Sequence, residues 1–154
     1  IWLKNANCFG VETWDKARDL VKQLNSNKCG LRDNSKPGDW RLPTKYEWQV
    51  MMNARYRNPS LSNGDGTGKW TEGDVFSDVP SAKYWSSTES KSQTDKKSLR
   101  WSVFLSDGRF IDYAKTNKLH VWPVRGKIPA KAFTDNGNGT VTDNRTGLIW
   151  LKNA

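Results

Sequence analysis

"DNGNGTVTDNRTGLIWLKNA", residues 135–154, closes a chain whose first six residues are also IWLKNA. Ile1-Trp2-Leu3-Lys4-Asn5-Ala6 returns unchanged as Ile149-Trp150-Leu151-Lys152-Asn153-Ala154, an offset of 149 − 1 = 148. Asn136-Gly137 and Asn138-Gly139 precede Thr140-Val141-Thr142, and Asn144-Arg145-Thr146-Gly147 precedes Leu148-Ile149-Trp150. Asn-Gly pairs beside short β-branched runs are hairpin chemistry, because both residues accept positive φ. The stretch reads as a β-hairpin or meander running into a strand. Ile1-Trp2-Leu3 reads as that same strand without the hairpin that should precede it. A bare strand edge exposes main-chain donors and acceptors. Ile1, Trp2, Leu3, Phe133, Val141, Leu148, Ile149 and Trp150 are therefore the candidate assembly residues.

Between the two copies, "VETWDKARDLVKQLN" spaces Trp14, Ala17, Leu20, Val21 and Leu24 for one face of a helix, with Thr13 as N-cap. Thr44-Lys45-Tyr46-Glu47 has the form of a capping box, so a second helix is expected, carrying Trp48, Met51, Met52 and Arg55 or Tyr56 and fading before Asn58-Pro59. Residues 60–82 show no period and form a long, turn-rich loop. Residues 84–90 read as a strand. In "SLRWSVFLSDGRFIDYA", Leu99, Trp101, Val103 and Leu105 alternate with Arg100, Ser102 and Phe104 before a Ser106-Asp107-Gly108 turn, which makes it the clearest hairpin. Residues 119–125 are a further strand, placed at an edge or bulge by Pro123. The organisation expected is a main body over residues 1–126, a linker over 127–132, and a β-hairpin segment over 133–154 that completes this domain or a neighbouring one.

The chain has 154 residues, with 25 Lys+Arg against 16 Asp+Glu and a net charge of +9. Such a charge favours polyanionic partners. Mean hydropathy is only −0.84, yet 9 Trp, 5 Phe and 4 Tyr supply enough large apolar surface for one core. Trp14, Trp48 and Trp101 are expected in it, with Trp40 and Trp85 packed alongside. Trp70 and Trp122 are the pair expected to be exposed. No stretch approaches a membrane span. No leader segment is visible, so the chain reads as a mature product or a piece of something longer. Cys8 and Cys29, the only cysteines, flank the first helix. They are read as a disulfide, and hence as a sign of an oxidising, extracytoplasmic setting, with two buried free thiols as the alternative.

"DWRLPT" (39–44), "YWSST" (84–88), "LSDGR" (105–109), "PVRG" (123–126) and "DNGNGTVTDNRTGLIW" (135–150) together resemble the Lcl C-terminal domain family. That family is named for the terminal domain of a collagen-like bacterial adhesin. The resemblance implies an α+β, C-type-lectin-like fold, with two helices on a twisted, mostly antiparallel sheet and long loops. It also implies an extracellular, bacterial cell-surface setting. In the family the "DNGNGTVTDNRTGLIW" segment comes first and "PVRG" last, whereas here the order is rotated. Three arrangements follow. The chain is one unit of a covalent tandem array, or a permuted domain whose own tail returns beside residues 1–3, or a polymer subunit whose tail completes the next copy.

Catalysis finds little support. His120 is the only histidine and sits in a strand pattern. The related formylglycine-generating enzyme uses copper-binding cysteines, and nothing later in this chain matches that motif, so no enzyme is expected. No cofactor is required by any motif. Calcium is the one metal the oxygens of Asp135, Asn138 and Asp143 suit, although their spacing is not that of an EF-hand and turn formation alone accounts for such residues. Lys91, Lys96, Lys97 and Arg100 lead into the hairpin, with Lys115 and Lys118 at its other end. They form a candidate site for sulfated or acidic glycans. The adhesin that names the family binds sulfated glycosaminoglycans, so the resemblance points the same way. Nucleic acid is disfavoured as a partner, because no recognised nucleic-acid module appears. The partners expected are copies of the chain itself and acidic polysaccharide.

Overall fold

A computed structural model describes residues 1–91, 98–127, 133–143 and 148–152. A short strand β1 (Val11–Glu12) leads into helix α1 (Trp14–Lys22). Thr13 is the extended N-cap, though its side chain makes no capping bond, and Asp15 and Lys22 sit at the ends the helix dipole favours. Trp14, Ala17 and Val21 are buried on one face, and Leu24 is buried just past the helix end.

Strand β2 (Trp40–Arg41) precedes α2 (Lys45–Met51). The capping box forms as expected: the Thr44 hydroxyl accepts from Glu47 N–H, and the Glu47 carboxylate accepts from Thr44 N–H. Arg41 then grips that carboxylate with both terminal nitrogens, at 2.6 and 2.7 Å. The helix is shorter than expected. It ends at Met51, and Arg55 and Tyr56 lie outside it. Met52 is already extended, and Asn53 N–H is captured by Ser60 O at 2.9 Å, so the chain turns well before the proline.

Glu47 makes this corner pH-dependent. Burial alone would raise its carboxyl, but the Arg41 fork and the Thr44 N–H outweigh that and hold it below its ordinary 4.5. The folded chain therefore binds this proton less readily than the unfolded one. The stabilisation is complete above pH 4.5 and is lost as pH falls through the depressed value. We expect Glu47→Gln to flatten the acid limb of the stability–pH curve, measured by chemical denaturation between pH 6 and 3; an unchanged limb would refute the assignment. Thr44→Ala should cost about 1 kcal/mol.

The remaining strands are β3 (Lys83–Glu89), β4 (Leu99–Phe104), β5 (Phe110–Ala114), β6 (Leu119–His120), β7 (Val124–Arg125), β8 (Phe133–Asp135), β9 (Thr140–Asp143) and β10 (Ile149–Leu151). They form three sheets: β1-β6-β3-β4-β5, β2-β7 and β10-β9-β8. Every pairing is antiparallel except β3 with β6. The architecture is thus α+β, two helices against curled and mostly antiparallel sheets. The expected hairpin is β4–β5, from Val103↔Phe110 to Leu99↔Ala114, with Gly108 at φ +79° in its turn.

Strand β3 is central. Its consecutive residues Tyr84, Trp85 and Ser86 are all buried, so both faces of the sheet are covered there. Helices are stitched to it by indole N–H groups: Trp14 Nε1 donates to Ser86 O (2.9 Å) and Trp48 Nε1 to Trp85 O (3.1 Å). Cover on both faces also takes in Ser102, which is buried and donates to Ile111 O at 2.7 Å. Two expectations of burial are corrected. Trp101 is only half-buried, its ring capped by Lys45 Nζ at 3.3 Å. Trp70 and Trp122, expected outside, are 7% and 0% exposed. The strand expected over residues 119–125 is split in two, and the Val121-Trp122-Pro123 break swings Trp122 into the core against Trp2, Trp48, Phe76 and Tyr84.

Candidate functional site

The first copy of the repeated hexapeptide is held along one edge. Ile1 and Arg125 exchange hydrogen bonds of 2.9 and 2.8 Å, and Leu3 N–H donates to Pro123 O at 3.1 Å. Alternate residues of an antiparallel ladder face opposite edges. Trp2, bridged to Val124, therefore turns its main-chain N–H and C=O away from β7. Further along that outer edge, Ser77 takes over: its N–H donates to Lys4 O and its O accepts from Ala6 N–H, both at 3.0 Å. Among the described residues, none bonds to the main chain of Trp2. Its side chain is anchored nonetheless, 4.7 Å from the Trp48 ring and 5.4 Å from the Trp122 ring. Trp122 Nε1 also donates to Leu3 O at 2.7 Å.

The second copy has the opposite surroundings. β10 pairs with β9 as Ile149↔Thr142, Trp150↔Val141 and Leu151↔Thr140. Leu151 is 77% exposed, where its equivalent Leu3 is 1% exposed. Phe133, Leu148, Ile149 and Trp150 are exposed as well. Exposed apolar surface of this kind marks interaction sites. Among the described residues, β9 is flanked by β8 and β10, and none of the three is paired with residues 1–3. Residues 128–132, most of the expected linker, lie outside the described residues.

The other candidate residues divide. Lys96 and Lys97 lie outside the described residues. The hairpin register brings Arg100 and Lys115 together over Trp14, at 4.5 and 4.7 Å from its ring. Both also make ion pairs, Arg100 with Glu89 (3.2 Å) and Lys115 with Asp15 (3.5 Å). Lys91 and Lys118 are exposed. Lys118 lines a cavity of about 380 Å³ with Lys83, Phe104 and His120. His120 Nδ1 lies 3.0 Å from Asn7 Oδ1, and burial, opposed by Asp78, lowers its pKa.

The Asp135 and Asn138 oxygens considered for calcium are taken up within the tail sheet. Asp135 Oδ1 accepts from Gly137 N–H, Asp135 Oδ2 meets Lys152 Nζ, and Asn138 Oδ1 accepts from Thr140 N–H and hydroxyl. Asp143 is buried opposite Phe133. Among the described residues, no cluster of three or more His, Cys, Asp or Glu is placed to hold a metal, and no helix is long and apolar enough to cross a membrane. Cys8 and Cys29 form a disulfide with Cα atoms 5.7 Å apart, so the free-thiol alternative falls.

The family model described as Lcl C-terminal domain matches residues 1–125. No curated protein and no solved structure matches the chain.

Proposed function

The chain belongs to the Lcl C-terminal domain family, and from that premise we propose that it is a non-catalytic module of an extracellular bacterial surface protein that assembles head to tail, as repeats or filament subunits, through its C-terminal β segment. We read its curled α+β body as C-type-lectin-like. The disulfide supports an extracellular setting, since such bonds persist in oxidising compartments. One observation carries the assembly reading. Among the described residues, the strand at residues 1–3 is paired along one edge only, while the second copy of it, Ile149–Leu151, is exposed in the tail sheet. Head-to-tail contacts that do not close generate open arrays.

Light scattering after size exclusion, over rising concentration, tests this. The full chain should form higher species, and deletion of residues 133–154 should leave a monomer. A full chain that stays monodisperse at high concentration would end the reading.

A second reading is acidic-glycan binding, favoured by the hairpin register that gathers Arg100 and Lys115 over Trp14. Because those two are engaged in ion pairs, the test falls on the other lysines. Replacing Lys91, Lys96 and Lys97 with Ala should lower the salt needed to elute the chain from heparin. An unchanged elution point removes this patch.

A further inference from the structure

We infer that the joint between copies is a strand-for-strand exchange: β9 of one copy pairs along the outer edge of residues 1–3 of the next, in the register it keeps with β10. Val141 then opposes Trp2 and Thr142 opposes Ile1. This rests on the head-to-tail reading above and specifies its contact.

Hydrogen-bond phase carries the joint. In the tail, Asp143 N–H donates to Leu148 O and Lys152 N–H to Gly139 O, both at 2.8 Å. Alternation then turns Leu148, Trp150 and Lys152 toward β9, and Ile149 and Leu151 toward the free edge. In the body the phase is opposite: Ile1 and Leu3 bond to residues 123–125, and Trp2 faces the free edge. The two copies of Ile-Trp-Leu thus use complementary halves of the same strand. A single copy with β9 on its Trp side and β7 on its Ile/Leu side satisfies every group, giving the order β8, β9, residues 1–3, β7, β2. A one-residue slip would match neither phase nor side-chain faces.

The ends of the ladder agree. Lys4 is the equivalent of Lys152, so its N–H falls opposite Gly139 O, while Lys4 O is already held by Ser77. The incoming strand stops where the Ser77 contact begins. The Asp135 carboxylate, now bonded to Lys152 Nζ, meets an identical ammonium on Lys4. β10 is then a placeholder, a copy of the acceptor strand that guards β9 until a neighbour offers the anchored version. Exchange leaves the count of β9 hydrogen bonds unchanged, but replaces a strand whose Trp and Leu lie in water with one whose Trp and Leu are seated in a core.

Two full-length variants test the joint. Ile1 and Thr142 would form a non-hydrogen-bonded pair, with Cα atoms within disulfide reach. Mixing the Ile1→Cys chain with the Thr142→Cys chain under mild oxidation should give a mixed-disulfide dimer, and Ile1→Cys with Val141→Cys should not. Trp150→Pro removes an N–H bonded to β9, so it should free that strand and lower the concentration for assembly by about tenfold. If the chains assemble without the Ile1–Thr142 cross-link, or if Trp150→Pro assembles no more readily than the parent, the strand-exchange joint is wrong while head-to-tail assembly stands. If neither assembly nor cross-link appears, both fall.

Discussion

Trp122→Ala is expected to destabilise the body by about 3–5 kcal/mol, the range for truncating a buried Trp. The indole is fully buried, with four aromatic rings at centroid distances of 5.0 to 5.8 Å. It also holds Leu3 O through a 2.7 Å hydrogen bond. Removing it opens a cavity at the middle of the aromatic cluster and leaves that carbonyl without its donor. The loss should reach the surface, because residues 1–3 would keep β7 but lose the side-chain seat beneath Trp2. Urea denaturation with unchanged slope and a much lower midpoint is the expected result. A surface tryptophan would cost within about 0.5 kcal/mol, and a shift that small would show that Trp122 does not organise this core.

Opening the Cys8–Cys29 bond should cost about 3 kcal/mol, from the entropy the cross-link removes from an unfolded loop of sequence separation 21. That loop contains β1 and all of α1, whose buried face supplies Trp14, Ala17 and Val21. The helix is only nine residues long, too short to persist by itself in water, so its docking depends on the tether and on the core. Cys29 packs partly buried against that core. A Cys8→Ser, Cys29→Ser double variant should therefore melt well below the parent in the absence of reductant. With 5 mM reductant the parent should approach the variant. Identical melting of the two without reductant would refute a stabilising role for the bond.

What could be read from the residues alone was local chemistry. The capping box at Thr44 to Glu47 formed because its parts lie three residues apart and need nothing else. The β4–β5 hairpin and the tail meander formed because turn residues and alternation specify them. Burial was less legible, since it depends on what covers each face. Trp122 looked peripheral beside Pro123, yet the break there is what turns it inward. Trp101 looked central by alternation, yet its ring meets Lys45. The early end of α2 came from Ser60 O, a partner seven residues away from Asn53 in the chain. Among the site residues, the repeated hexapeptide announced two copies of one strand. It could not say that the copies would use opposite edges, which appears only once β7 and β9 are in place.

Among the described residues none bonds to the main chain of Trp2, and we propose that β9 of another copy covers it. Amide hydrogen exchange of the full chain, compared at low and high concentration, tests it most directly. Trp2 N–H should exchange freely in the dilute monomer while Leu3 N–H, bonded to Pro123 O, is protected, and Trp2 should gain protection as the chain associates. Equal protection of Trp2 and Leu3 in the dilute monomer would contradict it.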